Sequence, residues 1–291
     1  MAFNNSPIKA ILFDVGGVVV LSPMLAIDAY EKANNILSGY INYAIVCSSP
    51  RGAWPQIERG EIPLDEQFYE KFTADLSKKE IWDKYYGMKN PATTPPPMPP
   101  IDGGFLFWEM MRVSRNFDPY IAPAIRKIRQ IKLSGNDGLG NGRRRFVVGA
   151  LTNDYQFPKG HEYNKDRLKT QLRELFDVFI SSSAVGMRKP EQKIYELALG
   201  RVGDVWRSWW GEGVKASEVV FLDDIGMNLK GARKVGFKGV RVVLGESWRA
   251  VKELEEVLGL KEGVLFEEGV VERLKSEGKW GEGEGKAKAK L

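Results

Sequence analysis

Residues 8–20 read IKAILFDVGGVVV. A run rich in apolar and β-branched residues delivers one aspartate, Asp14, and then, after a valine, two glycines, Gly16 and Gly17. Apolar residues that follow one another without alternation predict a strand buried on both faces, as in a parallel sheet covered by helices. A carboxylate at the end of such a strand needs a partner. Working outward, three further runs share this character: RFVVGALTN (145–153), EVVFLDD (218–224) and GVRVVL (239–244). A weaker one is FDVFISS (176–182). Between them lie segments with helical spacing: YIAPAIRKIRQIK (120–132), KDRLKTQLRELF (165–176), PEQKIYELALGRV (190–202, with Pro190 in its first turn) and NLKGARKVGF (228–237). This alternation predicts a doubly wound α/β fold around a parallel sheet.

About 130 residues separate the first run from the second, far more than a crossover helix needs. MLAIDAYEKANNIL (24–37), LDEQFYEKFTADL (64–76) and, more weakly, FLFWEMMRV (105–113) have helix spacing. Residues 23–118 are therefore expected to form a mostly helical insert. Its interruption, NPATTPPPMPPIDGG (90–104), is too rich in proline for helix and predicts a stiff extended excursion. The core is expected from 1–22 plus 119–262, followed by a C-terminal helix and a disordered tail within 263–291, the tail starting near 277. GRVGDVWRSWWGEGVKASE (200–218) reads as a Gly-rich connection between helix and strand. Its tryptophans, and the proline-rich segment, could offer contacts to another protein; folding back on the core and a plain surface loop are the simpler readings.

The chain has 291 residues, 43% hydrophobic and 28% charged, with a net charge of +5. Nothing resembles a nucleic-acid stripe with interleaved aromatics, so no nucleic-acid partner is expected. One cysteine, Cys47, excludes an internal disulfide, and one histidine, His161, excludes a multi-histidine metal site. No run approaches the ~18 apolar residues of a membrane span, and the first ten residues lack signal-peptide order. A cytoplasmic setting is expected; oligomeric state is left open.

In a doubly wound sheet, ligands bind beyond the carboxyl ends of the strands. The first strand ends at Asp14 and the second at Thr152 and Asn153. The loop after the third carries Arg188 and Lys189, and the fourth strand ends at Asp223 and Asp224. Carboxylates, hydroxyl, amide and ammonium would share one crevice, a set suited to a hard cation and a phosphoryl group. Glycines after Asp14 would let backbone N–H groups approach an anion. Each residue alone has a plainer reading as a cap, a turn or a solvated lysine. Their coincidence at successive strand ends favours a site.

At these motifs the sequence resembles the haloacid dehalogenase (HAD) superfamily. ILFDVGGVVV, ALTND, VGMRKPEQKIYELAL and VVFLDDIGMNLKGARKVGF look like its four motifs in order. ERGEIPLDEQF (58–68) resembles the branch containing the N-terminal phosphatase domain of soluble epoxide hydrolase and its stand-alone relatives. The resemblance implies a Rossmann-like core with a helical cap inserted at 23–118. It implies a Mg²⁺-dependent phosphatase that acts on a small phosphorylated metabolite. Asp14 would be the nucleophile and Lys189 its charge partner. Asp14, the Gly16 carbonyl and Asp224 would hold Mg²⁺ with Asp223 close by. Thr152, Asn153 and Gly17 would bind the phosphoryl group, and Asn228 would order the fourth motif. No α/β-hydrolase domain follows, so epoxide hydrolysis is not implied.

The sequence departs from this pattern at Gly16, where family phosphatases usually carry a second Asp that protonates the leaving group. Losing such a group costs about 10²–10⁴ in rate. Asp154 and His161 are candidate substitutes, with an ordinary surface position as the simpler reading. A catalytically weak or inactive relative that binds a phospho-ligand or a protein is the main alternative. A 2-haloacid dehalogenase, which needs no leaving-group acid, is a further one. Trp54, Phe68, Phe105 and Trp108 could line the site or form the core of the insert.

Overall fold

The structure, a computed structural model, describes residues 7–132 and 143–280. In chain order it runs β1 (Ala10–Phe13), α1 (Met24–Ala33), α2 (Tyr40–Ser48), α3 (Ala53–Glu58), α4 (Glu66–Leu76), α5 (Lys79–Lys89), α6 (Gly103–Val113) and α7 (Ile121–Gln130). Then come β2 (Val147–Thr152), α8 (Arg167–Glu174), β3 (Val178–Ser181), α9 (Ser182–Val185), α10 (Gln192–Trp210), β4 (Val219–Asp223), α11 (Gly226–Val235), β5 (Lys238–Arg241), α12 (Ser247–Leu258) and α13 (Val270–Ser276).

The five strands form one parallel sheet in the order β3-β2-β1-β4-β5. Alternation along each strand divides its buried residues between two layers. Ile11, Phe13, Val148, Ala150, Val220 and Leu222 face α7 and α12. Ala10, Leu12, Val147, Leu151, Val219 and Phe221 face α10 and α11. Both faces are dry, which is why the sequence shows unbroken apolar runs. Register pairs Phe13 with Ala150 on one side and Leu222 on the other. Asp14, Thr152 and Asp223 therefore leave the sheet at one edge.

Helices α1–α6 pack around a separate apolar cluster that includes Tyr40, Phe68, Phe72, Trp82 and Phe107. The proline-rich excursion lies against it: Trp82 Nε1 donates to the Pro96 carbonyl at 2.9 Å, and Ile101 is buried. Helix α6 starts at Gly103, inside the stretch expected to be extended, because Asp102 accepts from the Phe105 N–H and caps it.

Three further expectations change. The tryptophan-rich segment is the last two turns of α10, which runs to Trp210 and ends at Gly211 (φ 77°). Trp206 is 5% exposed and joins the core, so this segment is not the Gly-rich loop that was expected. The same helix begins at Gln192, with Pro190 before its N-cap rather than in its first turn. At the other end, Trp280 packs on Trp248 and Phe266, with ring centroids 6.1 and 5.0 Å apart. Residues 277–280 thus belong to the packed structure, while 1–6 and the rest of the expected disordered tail, 281–291, lie outside the described residues. No helix among the described residues is long and apolar enough to cross a membrane.

Candidate active site

Asp14 follows β1 directly. Its N–H donates to the Leu222 carbonyl at 2.8 Å, continuing the ladder to β4. Its Oδ1 accepts from the Val15 N–H at 2.7 Å and lies 2.8 Å from Lys189 Nζ. Lys189 also donates to Asp223 Oδ2 at 2.7 Å, and its side chain is fully buried. Burial alone would push the Lys189 ammonium down. The charges of Asp14 and Asp223 outweigh that and raise it, so it stays a cation. Burial drives the Asp14 carboxyl well upward, with Lys189 opposing it and Asp223 and Asp224 reinforcing it.

The adjacent aspartates differ. Asp223 is fully buried and saturated: it accepts from Lys189, from the Ile225 N–H at 2.7 Å and, on both oxygens, from Asn228 Nδ2 at 3.1 Å. Asn228 is held in turn by Tyr195, whose hydroxyl donates to its carbonyl at 2.8 Å. Asp224 has a buried oxygen, Oδ1, with no hydrogen-bond partner. Burial, then the charge of Asp223, pushes the Asp224 carboxyl up to about 6. Asp14, Asp223 and Asp224 each bring an oxygen within 4.8 Å of the others. Three carboxylates against one ammonium leave an excess of negative charge, and an orphaned buried oxygen costs free energy. A divalent cation would relieve both, so the donor set fits a hard metal ion.

Gly17 turns the loop after Asp14 with φ 80°, and a Cβ there would stand 2.3 Å from Asp224 Oδ2. Its role is steric, since it lets the loop lie on that carboxylate. Its N–H donates to the Val20 carbonyl at 2.9 Å and is not free for an anion, contrary to the expectation for it. A Cβ at Gly16 would meet Pro23 Cδ at 3.8 Å, an ordinary van der Waals contact.

Thr152 ends β2 at the same edge of the sheet and is buried there, its hydroxyl donating to the Asn153 carbonyl at 3.3 Å. The side chain of Asn153, expected to bind a phosphoryl group, is spent otherwise. It accepts from the Lys189 N–H at 2.8 Å and donates to the Lys189 carbonyl at 3.0 Å, clamping that residue from both sides. Asp154 Oδ1 accepts from the Ser181 and Ser183 hydroxyls at 2.6 and 2.9 Å, tying β2 to the segment after β3. His161 packs against both Trp108 and Phe157, centroids 5.2 and 5.1 Å away, and its Nδ1 accepts from the Tyr163 N–H. Both candidate acids are thus built into packing. Of the insert aromatics, Phe68 is core, Trp54 and Trp108 are part of the aromatic cluster, and Phe105 is 57% exposed.

The sequence pattern by itself gives Glu58 no role. This residue of α3 is 6% exposed and reaches the loop carrying Lys189, where it accepts from Arg188 Nε at 2.6 Å. Its one sequence signal is that it begins the ERGEIPLDEQF stretch.

The parallel sheet thus gathers carboxylates, a lysine and a threonine at its carboxyl edge, the place where α/β sheets of this kind bind ligands. Residues 8–236 match the model of the haloacid dehalogenase-like hydrolase family, and the chain belongs to that family. It is 29% identical to mouse (Mus musculus) acyl-CoA dehydrogenase family member 10 over 254 residues, which are 86% of this chain and 19% of that protein. It is 26% identical to pig (Sus scrofa) bifunctional epoxide hydrolase 2 over 257 residues, 87% of this chain and 39% of that one. The chain thus spans well under half the length of these relatives. Among solved structures, the HAD family enzyme bt-2542 of Bacteroides thetaiotaomicron superposes with a TM-score of 0.49 at 18% identity, covering 83% of this chain and 96% of that one.

Proposed function

We propose that the protein is a Mg²⁺-dependent phosphatase that acts on a small phosphorylated metabolite through an aspartyl-phosphate. The observation that carries this reading is the contrast between Asp223, saturated by protein donors, and Asp224, whose buried Oδ1 has none. Asp14, Asp224 and the Gly16 carbonyl would hold the ion, with Asp223 behind them. Bound there, Mg²⁺ supplies neutralisation of charge on the transferring phosphoryl oxygens. The ionised Asp14 carboxylate attacks phosphorus as the bond to the leaving oxygen breaks. Lys189 holds Asp14 in place and opposes the upward push of burial on its carboxyl, so that with the ion bound the carboxylate form would be favoured, and Thr152 donates to a phosphoryl oxygen. Water then attacks phosphorus, the bond to Asp14 breaks, and phosphate leaves. With Gly16 there is no carboxyl on this loop to protonate the departing oxygen. The reading therefore favours substrates with good leaving groups, such as acyl or aryl phosphates.

The test is hydrolysis of acetyl phosphate and p-nitrophenyl phosphate by the full chain. Turnover is expected with Mg²⁺ and not in excess chelator, and Asp14→Asn abolishes it. Turnover indifferent to chelator would sink the reading. Gly16 also suits a dehalogenase, since halide leaves without a proton. Metal-independent chloride release from 2-chloropropionate would decide for that alternative.

A further inference from the structure

Glu58 crosses from the helical insert to the core. Its Oε2 accepts from Arg188 Nε at 2.6 Å and lies 2.5 Å from a terminal guanidinium nitrogen. Its Oε1 accepts from Trp54 Nε1 at 3.0 Å, so the carboxylate is aimed from both sides. Burial raises this carboxyl, and the charges of Arg188 and Lys189 oppose the rise. The same two segments meet twice more. Arg59 lies 3.9 Å from Glu191. Gly60, at φ 67°, presses its backbone on the Ser183 carbonyl, which would stand 2.6 Å from a Cβ there. Arg188 is bonded to Lys189, whose N–H and carbonyl are clamped by Asn153. The loop that receives the insert is therefore the loop that aims the lysine at Asp14.

A buried ion pair adds little net stability, because desolvation offsets its attraction; its best-attested use is to select one geometry. Lifting the insert would return both groups to water, so opening strands no charge. Among the described residues the Arg188 guanidinium bonds no other carboxylate.

We propose that Glu58 and Arg188 are a positioning pair: with the insert lifted, Arg188 stands as a free cation beside Lys189 and draws in a phosphate dianion, and Glu58 takes over that charge as the insert seats, registering it on the Lys189 loop. The kinetic part rests on the phosphatase reading; the closing contact does not.

The test uses the full chain, with Glu58→Gln, Arg188→Gln, their double variant and Arg188→Lys. Hydrogen exchange is followed in residues 53–61 and 183–191, with β1 and β4 as controls for folding. Exchange in both segments is expected to quicken about tenfold in either single variant, and no further in the double, because one contact is lost once. With p-nitrophenyl phosphate, Glu58→Gln lowers kcat about tenfold at nearly constant KM, whereas Arg188→Gln also raises KM about fivefold. Arg188→Lys recovers KM more than kcat, since an ammonium keeps the charge but cannot make the forked contact. Unchanged exchange in folded single variants, or additive losses in the double, overturns the pair. If the wild type turns over no phosphate ester, the phosphatase reading fails alone and exchange still decides the contact.

Discussion

The carboxyl edge of the sheet and the helical insert are both buried, and they are held by different physics. At the edge, Lys189, Asp14 and Asp223 form a charged cluster in which Asp14 Oδ1 and both Asp223 oxygens have named donors at 2.7–3.1 Å. In the insert, aromatic rings do the packing: Tyr40 stands edge-on to Trp82 at 4.9 Å, and Phe68 stacks on Phe72 at 5.6 Å. Charges in a dry site tolerate almost no substitution, because removing one leaves its partner uncompensated. Apolar packing degrades by the volume lost. The edge is therefore brittle and chemically committed, and the insert is plastic.

Asp14→Asn probes that contrast most severely. The side chain keeps its size and can still accept from the Val15 N–H, so the fold should survive. Turnover of p-nitrophenyl phosphate should fall at least ~10³-fold, as expected for loss of a nucleophile. A loss of tenfold or less would mean that the edge is not the chemical centre.

Next in size is a matched pair of stability variants, Lys189→Met at the edge and Phe68→Leu in the insert. The first leaves Asp14 and Asp223 facing each other without a cation and should cost about 3–5 kcal/mol in urea unfolding at neutral pH. The second should cost about 1–2 kcal/mol, the loss of a ring and its contacts with Phe72 and Phe107 while an apolar side chain still fills most of the space. Equal losses would erase the distinction between brittle and plastic burial.

The same distinction decides which features are legible in the amino-acid sequence. Asp14, Asp223 and Lys189 are legible because parallel strands must end at one edge, so strand ends in the sequence become neighbours in space. The contact between Gly17 and Asp224 is not, because it depends on a turn at φ 80° between residues far apart in the chain. Glu58 and Arg188 are 130 positions apart, and α3, which ends at Glu58, is six residues long, too short for a periodic pattern. Helix α10 reads as ending at 202 because Gly200 and Gly203 resemble breakers. A helical glycine costs only about 1 kcal/mol relative to alanine, and burial of Val202 and Trp206 on the same helix outweighs that. In the insert, α2 leaves no clear pattern because Val46, 70% exposed, puts an apolar residue on its outer face and blurs the helical periodicity.

A third, smaller effect separates the two carboxylates of the fourth motif. Burial and the charge of Asp223 lift Asp224 to about 6. Without metal, the folded chain holds that proton more tightly than the unfolded chain, so the contribution of Asp224 to stability is present at acid pH and lost as pH rises through about 6. Mg²⁺ binds the ionised form and reverses the sign. Its stabilisation, about 2.7 kcal/mol at a hundred times its Kd, should be fully seen at pH 7.5 and shrink at pH 5.5. Thermal melts at both pH values, with and without Mg²⁺, measure it. Asp224→Asn should abolish the Mg²⁺ shift, whereas Glu31→Gln, removing a buried carboxylate of the insert, should leave it intact. A shift that is the same at both pH values would show that Asp224 is not the group the ion meets.

The smallest effect expected is a gain. Gly16 stands two residues after Asp14, and a Cβ there would meet Pro23 Cδ at 3.8 Å, an ordinary van der Waals contact. Its φ is not left-handed, so a side chain can be added without backbone strain, unlike at Gly17. Gly16→Asp should therefore fold and place a carboxyl two residues beyond the nucleophile. General acid catalysis assists only where the leaving oxygen needs a proton. The variant should hydrolyse an alkyl phosphate about tenfold faster than wild type and leave acetyl phosphate nearly unchanged. Equal gains on both would mean that the new carboxylate strengthens metal binding instead. No gain on either would locate the working acid elsewhere, beyond the loop that carries Gly16.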